Sequence, residues 1–220
     1  MKYTYLLVAL ILASCSSAGD DQSAVTYSIS GSGQADVLIY DTRDREQKIA
    51  NAQDGWLYEI STDEGSQLLY IRLANVQGNM KAMIHVDGEL VAETSASDGQ
   101  TRGVSAWGND SGITLYYTMQ SEVGGHTTVS TPQGQDTLAV AAYALQEGPY
   151  SLERREYITD AGFLAHISTI ADADQFGCVF LRIEAEPIPG ERIDLASEQR
   201  CSTGQFDTSV SVPVYGYGRK

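Results

Sequence analysis

From Ser23 onward the dominant pattern is strict alternation of apolar and polar positions, the signature of strands with one buried face. Val25, Tyr27 and Ile29 alternate with Thr26, Ser28 and Ser30, and Gly31-Ser32-Gly33 ends the run. Residues 36–41 (DVLIYD) form a second strand. Trp56, Tyr58 and Ile60 alternate in a third, and Leu69, Ile71 and Leu73 in a fourth. Met83 to Val86 and Glu89 to Ala92 flank Asp87-Gly88. Asp-Gly between apolar runs predicts a two-residue hairpin, because both turn positions need positive φ. Residues 103–107 (GVSAW) close the set. Turn signals recur about every ten residues, as in an all-β sandwich. No long amphipathic helix is visible. Residues 137–145 (TLAVAAYAL) are continuously apolar, and periodicity alone does not choose between buried strand and short helix.

Beyond the turn-rich stretch Gly108 to Gly112, the order of events repeats. Ile113-Thr114-Leu115-Tyr116-Tyr117 answers Val25-Thr26-Tyr27. Glu147-Gly148-Pro149-Tyr150 answers Asp54-Gly55-Trp56. Phe163 to Ile167 answers Leu68 to Ile71, and Val179 to Ile183 answers Ala82 to Val86. The offset grows from 88 (25 to 113) to 97 (82 to 179), as small loop insertions would produce. In the second copy a longer loop through Pro187, Pro189 and Gly190 is expected to replace the tight Asp-Gly hairpin. The expected fold is therefore all-β, with two tandem immunoglobulin-like β-sandwich domains at 24–109 and 110–220 after a lipoprotein signal peptide.

That signal occupies residues 1–14. A start with one charge, Lys2, precedes the apolar run Leu6 to Leu12 and the small residues Ala13-Ser14. The run is too short to span a membrane, which takes about 20 apolar residues, and it has the layout of a secretory signal peptide. Leu12-Ala13-Ser14-Cys15 resembles a bacterial lipobox. The resemblance implies cleavage before Cys15 and diacylglycerol on its thiol, so that the protein meets the membrane through lipid. Two or three acyl chains anchor stably where one does not. Residues 15–23 then form the lipidated end and a flexible tether, with a root-mean-square reach of roughly 16 Å for its eight residues after Cys15. Among envelope lipoproteins an Asp after the lipidated Cys marks retention at the inner membrane. Ser16 stands there instead, so the outer membrane, at its periplasmic face, is the expected location. Two further cysteines remain, Cys178 and Cys201. An even pair in an exported chain predicts a disulfide.

Residues 25–107 resemble the extracytoplasmic domain of the small mycobacterial membrane protein (MmpS) family. The resemblance rests on Val25-Thr26-Tyr27-Ser28-Ile29-Ser30-Gly31-Ser32, on the Trp56 strand and on the hairpin Ile84 to Ala92. It implies an immunoglobulin-like sandwich and an accessory role beside lipid exporters. It also implies a Cys on either side of the hairpin. Lys81 stands near the first such position in copy one, whereas Cys178 and Cys201 fit both in copy two. Family members carry a transmembrane helix where this chain has a lipobox.

The 220 residues carry 14 Lys and Arg against 29 Asp and Glu, a net −15. Such a chain lacks the basic clusters that nucleic acid or anionic lipid headgroups require. Loss of residues 1–14 removes one charge, Lys2, and takes −15 to −16. Motifs of hydrolases, metalloproteases and nucleotide binders are absent. His85, His126 and His166 are too scattered to predict a metal set, with His85 on a solvated strand face and His166 open to a neighbour such as Arg154 or Asp172. Asp172 to Gly177 imitates a calcium loop but lacks donors at Phe176 and Ile183, and reads as an acidic turn. Asp41 to Glu46 reads as a charged connector, and Tyr215 to Lys220 as an exposed tail. No catalytic residue, metal or cofactor is therefore assigned. The expected function is a non-catalytic binding or accessory module of the envelope, with an envelope protein as partner. The alternatives are a lipid- or glycan-binding lipoprotein, or an enzyme whose site is assembled from scattered Asp, Glu and His.

Overall fold

A computed structural model of the chain describes residues 22–41, 45–62, 68–108, 112–131, 134–139, 150–159 and 162–217. The described residues form strands and no helix, and the all-β reading holds. The strands of the first half are β1 (Ser23–Gly31), β2 (Gln34–Asp41), β3 (Arg45–Gln53), β4 (Leu57–Thr62), β5 (Leu68–Gln77), β6 (Asn79–Val86), β7 (Glu89–Ser97) and β8 (Arg102–Trp107). Those of the second are β9 (Ile113–Ser121), β10 (Gly124–Thr131), β11 (Gly134–Ala139), β12 (Tyr150–Ile158), β13 (Phe163–Ile188) and β14 (Glu191–Gly216).

In the first half a sheet ordered β4-β1-β6-β7 packs on the run β3-β2-β5-β8. The alternating residues Val25, Tyr27 and Ile29 meet Val37, Ile39, Leu69, Ile71, Leu73 and Val104 in one core. Asp87 and Gly88 both take positive φ, 52° and 80°, and Val86 pairs with Glu89, as the Asp-Gly hairpin requires. Of the charged stretch Asp41 to Glu46, Asp41 ends β2 and Arg45 and Glu46 begin β3, while 42–44 lie outside the described residues.

The second half repeats this pairing scheme. β1 pairs with β4 and β6, and β6 with β7. Correspondingly, β9 pairs with β12 and with the 177–188 limb of β13, which pairs with the start of β14. β2 pairs with β3 and β5, and β5 with β8. Correspondingly, β10 pairs with β11 and with the 163–173 limb of β13, which pairs with the end of β14. Each 26-residue strand thus does the work of two first-half strands. The register breaks between Ala173 and Gly177, and Gly204 opposite takes φ 82°. Strands that switch sheets do so at such irregularities. Asp172 to Gly177 is therefore part of β13 and not an acidic turn.

The second hairpin is also tight, contrary to the expected longer loop. Ile188 pairs with Glu191 across Pro189-Gly190. Pro fixes φ near −65°, which forbids the Asp-Gly type of turn, and Gly190 at φ 87° supplies the positive φ that follows Pro in a type II turn.

The two halves are not separate sandwiches. Val214, Tyr215 and Gly216 pair in parallel with Ser105, Ala106 and Trp107, so a ten-stranded sheet runs through both halves. The N–H of Tyr217 donates to the Trp107 carbonyl (2.9 Å), and its ring lies where a Cβ on Gly108 would be, 2.4 Å from Tyr217 Cε2. Residues 215–217 are thus docked and do not form an exposed tail. The outer face of β2, β5 and β8 contributes Leu38, Tyr40, Leu68, Tyr70 and Trp107 to the core of the second half. The buried Tyr70 hydroxyl donates to the Leu195 carbonyl. These strands are covered on both sides, which is why 37–40 (VLIY) and 68–71 (LLYI) are continuously apolar. Gly103 leaves room for the Tyr70 ring, since a Cβ there would sit 2.9 Å from it.

Candidate functional site

A groove of about 530 Å³ lies where the two halves meet. One rim is the turn between β7 and β8, Gly99 to Arg102. Hydrogen bonds fix this turn: Gly99 N–H to the Val76 carbonyl (2.9 Å), Gln100 N–H to the Ser97 carbonyl (2.8 Å), Ser97 N–H to Gln100 Oε1 (3.1 Å), and Gly78 N–H to Asp98 Oδ1. The opposing wall is β13 and β14. His166, Ser168 and Ile170 alternate with the buried Ala165, Ile167, Thr169 and Ala171, so they face away from the core. Asp207, Ser209 and Ser211 do the same against Thr208, Val210 and Val212.

Strand pairing arranges this outer face in rows. His126, Ile170 and Asp207 form one, Thr128, Ser168 and Ser209 the next, and Ser130, His166 and Ser211 a third. Glu198 and Arg200 of β14 complete the groove, joined by a 2.8 Å bond from Arg200 Nε to Glu198 Oε1. The side chains of Arg102, His166 and Asp207 have no hydrogen-bond or ion-pair partner among the described residues.

The outer face of the β12-β9-β13-β14 sheet is its electrostatic opposite. Arg192 stacks 3.6 Å over the Tyr116 ring and reaches Glu153 (3.1 Å) and Glu184 (3.8 Å). Arg182 bridges Glu184 (3.1 Å) and Asp194 (3.7 Å). The Tyr116 hydroxyl, then the Gly190 N–H, bond to Glu186 and hold its carboxyl below the ordinary range. The Glu153 hydrogen bond holds the Arg192 guanidinium more firmly charged. Two guanidinium groups thus stand among four carboxylates, and this face keeps a net negative charge.

The predicted residues fall as follows. Cys178 and Cys201 form a disulfide across directly paired positions of β13 and β14. Cys15 lies outside the described residues, as do 140–145 of the apolar 137–145 segment, whose residues 137–139 are in β11. Ser23, placed in the tether, begins β1. The disulfide lies one pair beyond Val179, the partner of the last β9 residue, Ser121. One pair beyond Met80, the partner of the last β1 residue, stands Asn79 opposite Ser97, so these and not Lys81 hold the equivalent place. His85 sits on the outer side of β6, between buried Ile84 and Val86. Arg154 does not accompany His166, because it lies on β12 and pairs with Glu156 (3.1 Å). Among the described residues no group of three or more His, Cys, Asp or Glu could hold a metal ion. The groove escaped sequence reasoning because its walls come from 99–102, 166–170 and 198–209. The signal available was the alternation of His166 and Ser168 in β13, and of Asp207 and Ser209 in β14, with buried neighbours.

No protein-family model matches the chain, and no curated protein matches it.

Proposed function

We propose that the protein is a lipid-anchored module of the cell envelope that binds a ligand without transforming it, and that the groove between its halves is the binding site. The observation that carries this reading is the groove itself: a concavity between two bodies locked by a shared sheet and core, with Arg102, His166 and Asp207 free of partners among the described residues. Preorganised clefts at such junctions are where ligands bind. The lipobox-like Leu12-Ala13-Ser14-Cys15 supports the anchor, and Ser16 supports the outer membrane. The repeated pairing scheme supports a duplicated immunoglobulin-like sandwich. The likeness of residues 25–107 to the MmpS family favours a second reading, in which the bound partner belongs to an envelope exporter.

Labelled palmitate tests the anchor. Wild-type protein takes up label and partitions into detergent, whereas Cys15→Ala does neither. Broad hydrolase and oxidoreductase panels test the absence of chemistry. Turnover abolished by one Asp, Glu or His substitution in folded protein replaces the binding reading with an enzyme.

A further inference from the structure

We propose that the interhalf groove takes an extended segment of a partner polypeptide as an added β-strand on β14; this rests on the binding-module reading and names its partner class. The groove is a split within the ten-stranded sheet. β8 and β14 pair in parallel only between Ser105 to Trp107 and Val214 to Gly216. In the same register further back, Arg102 stands level with Ser211 and Gly99 with Thr208. No pairing joins the strands there. Gly99 to Arg102 and Asp207 to Ser209 instead line the groove between them.

The backbone of β14 is open on that side. Residues 204–214 pair with β13 along their other side, without a break in register. In a strand each residue sends its N–H and C=O to one side, and successive residues alternate. Ser105 Oγ donates to the Pro213 carbonyl (3.3 Å), and the Tyr217 N–H donates to the Trp107 carbonyl (2.9 Å). The odd-numbered residues thus face β8. Asp207 and Ser209 therefore direct their N–H and C=O groups into the groove, where no strand among the described residues pairs with them. Pro213 fits this side. It has no N–H to offer, and Pro sits in sheets where the missing N–H faces away from a partner strand. Such an edge is completed by main chain, through strand addition.

Side chains agree. Thr208 lines the groove at 6% exposure, and its hydroxyl has no partner among the described residues. A buried hydroxyl left unbonded is costly, and a polar group on an added strand would satisfy it. Arg102 on one wall and Asp207 on the other give such a strand a charge contact on each flank. The net charge of −15 attracts a basic segment over a longer range. Because the split lies inside a sheet, between two packed halves, it suits a single extended chain rather than the edge of a second folded copy.

The test uses the full chain in detergent and basic peptides selected on it from a phage-displayed library of random dodecapeptides. A selected peptide should bind saturably in calorimetry and slow hydrogen exchange at the Asp207 and Ser209 amides tenfold or more. Ser209→Pro removes a groove-side N–H and none bonded to β13, and should weaken binding tenfold or more. N-methylation of the peptide's backbone amides should do the same. Circular dichroism checks that Ser209→Pro is folded; if it is not, the exchange and N-methylation results decide. No saturable peptide, unchanged exchange at Ser209, or indifference to N-methylation overturns strand addition. A photo-crosslinking residue in place of Thr101, used in cells, separates the two readings. A protein adduct supports the proposal. A lipid or glycan adduct overturns it and leaves the binding module intact. No adduct there or at other surface positions removes the binding module as well.

Discussion

At the residue scale, Asp36 shows how one carboxylate organises backbone around it. β2 has a register irregularity at this point against both neighbours. Asn51 and Asn75, from β3 and β5, take φ of 53° and 48°, a region that costs most residues energy but suits Asn. Asp36 Oδ1 accepts the Asn51 N–H (2.9 Å), and Oδ2 accepts from the Asn75 amide (2.7 Å). The Asn75 bond first, and the Asn51 bond second, hold the Asp36 carboxyl below the ordinary value of 3.8. A depressed carboxyl stabilises the fold above its unfolded pKa, and that contribution is lost as pH falls through the folded one. Asp36→Asn should therefore unfold at lower urea than wild type at pH 7. The gap between them should close as the pH drops below the ordinary 3.8. A gap independent of pH would mean that charge at Asp36 is not involved. Tyr70 makes the opposite kind of contribution. Its hydroxyl is fully buried, and burial pushes its pKa well up, so it stays a neutral donor to Leu195. Tyr70→Phe leaves that carbonyl without this partner and should cost about 1–2 kcal/mol in urea denaturation.

At the scale of elements, alternation was legible wherever one face is buried and the other wet. β1, β4 and the β6–β7 hairpin follow from it. So does the correspondence of β9 with β1 and of the β13 limbs with β5 and β6. Elements that break the rule were harder. β3 is an edge strand rich in polar residues (REQKIANAQ), and only its first two residues entered the sequence reading, as the end of the charged connector Asp41 to Glu46. β14 splits its apolar content between Ile193, Leu195 and Ala196 near its start and Val210, Val212 and Val214 near its end, and gives no signal near Gln199 or Gln205. Its final residues become a strand only because β8 of the other half accepts them, a contact invisible to local pattern. The disulfide was legible from cysteine parity, and its place is structural: it closes the β13–β14 hairpin just short of the bend where both strands change sheets. Alkylating reagents should leave Cys178 and Cys201 untouched until reduction. Reduction should lower stability on the order of 3 kcal/mol for a loop of this length, read as a shift in the denaturation midpoint. Free thiols in exported protein would contradict the pairing.

At the scale of the whole molecule, the shared sheet and core predict that the halves unfold together. Leu38, Tyr40, Leu68, Tyr70 and Trp107 would lose their cover if the second half melted first. Calorimetry should show one transition with matching calorimetric and van't Hoff enthalpies. Two resolved transitions would mean that the interface adds little. The direction of β1 carries a consequence for how the groove is presented. The chain arrives at Ser23, beside Thr62, with the Ala24 N–H bonded to Asp87 at the hairpin tip. Eight residues later Gly31 reaches the other end, where it shares a shallow hollow with Asn79, Ser97 and the rim residue Gln100. A strand of that length covers about 30 Å. On the proposed lipid anchor at Cys15, the first half would act as a spacer, with the chain entering at one end of β1 and the groove opening at the other. Such a stand-off would select for ligands standing in the aqueous space over molecules lying within the leaflet that holds the anchor.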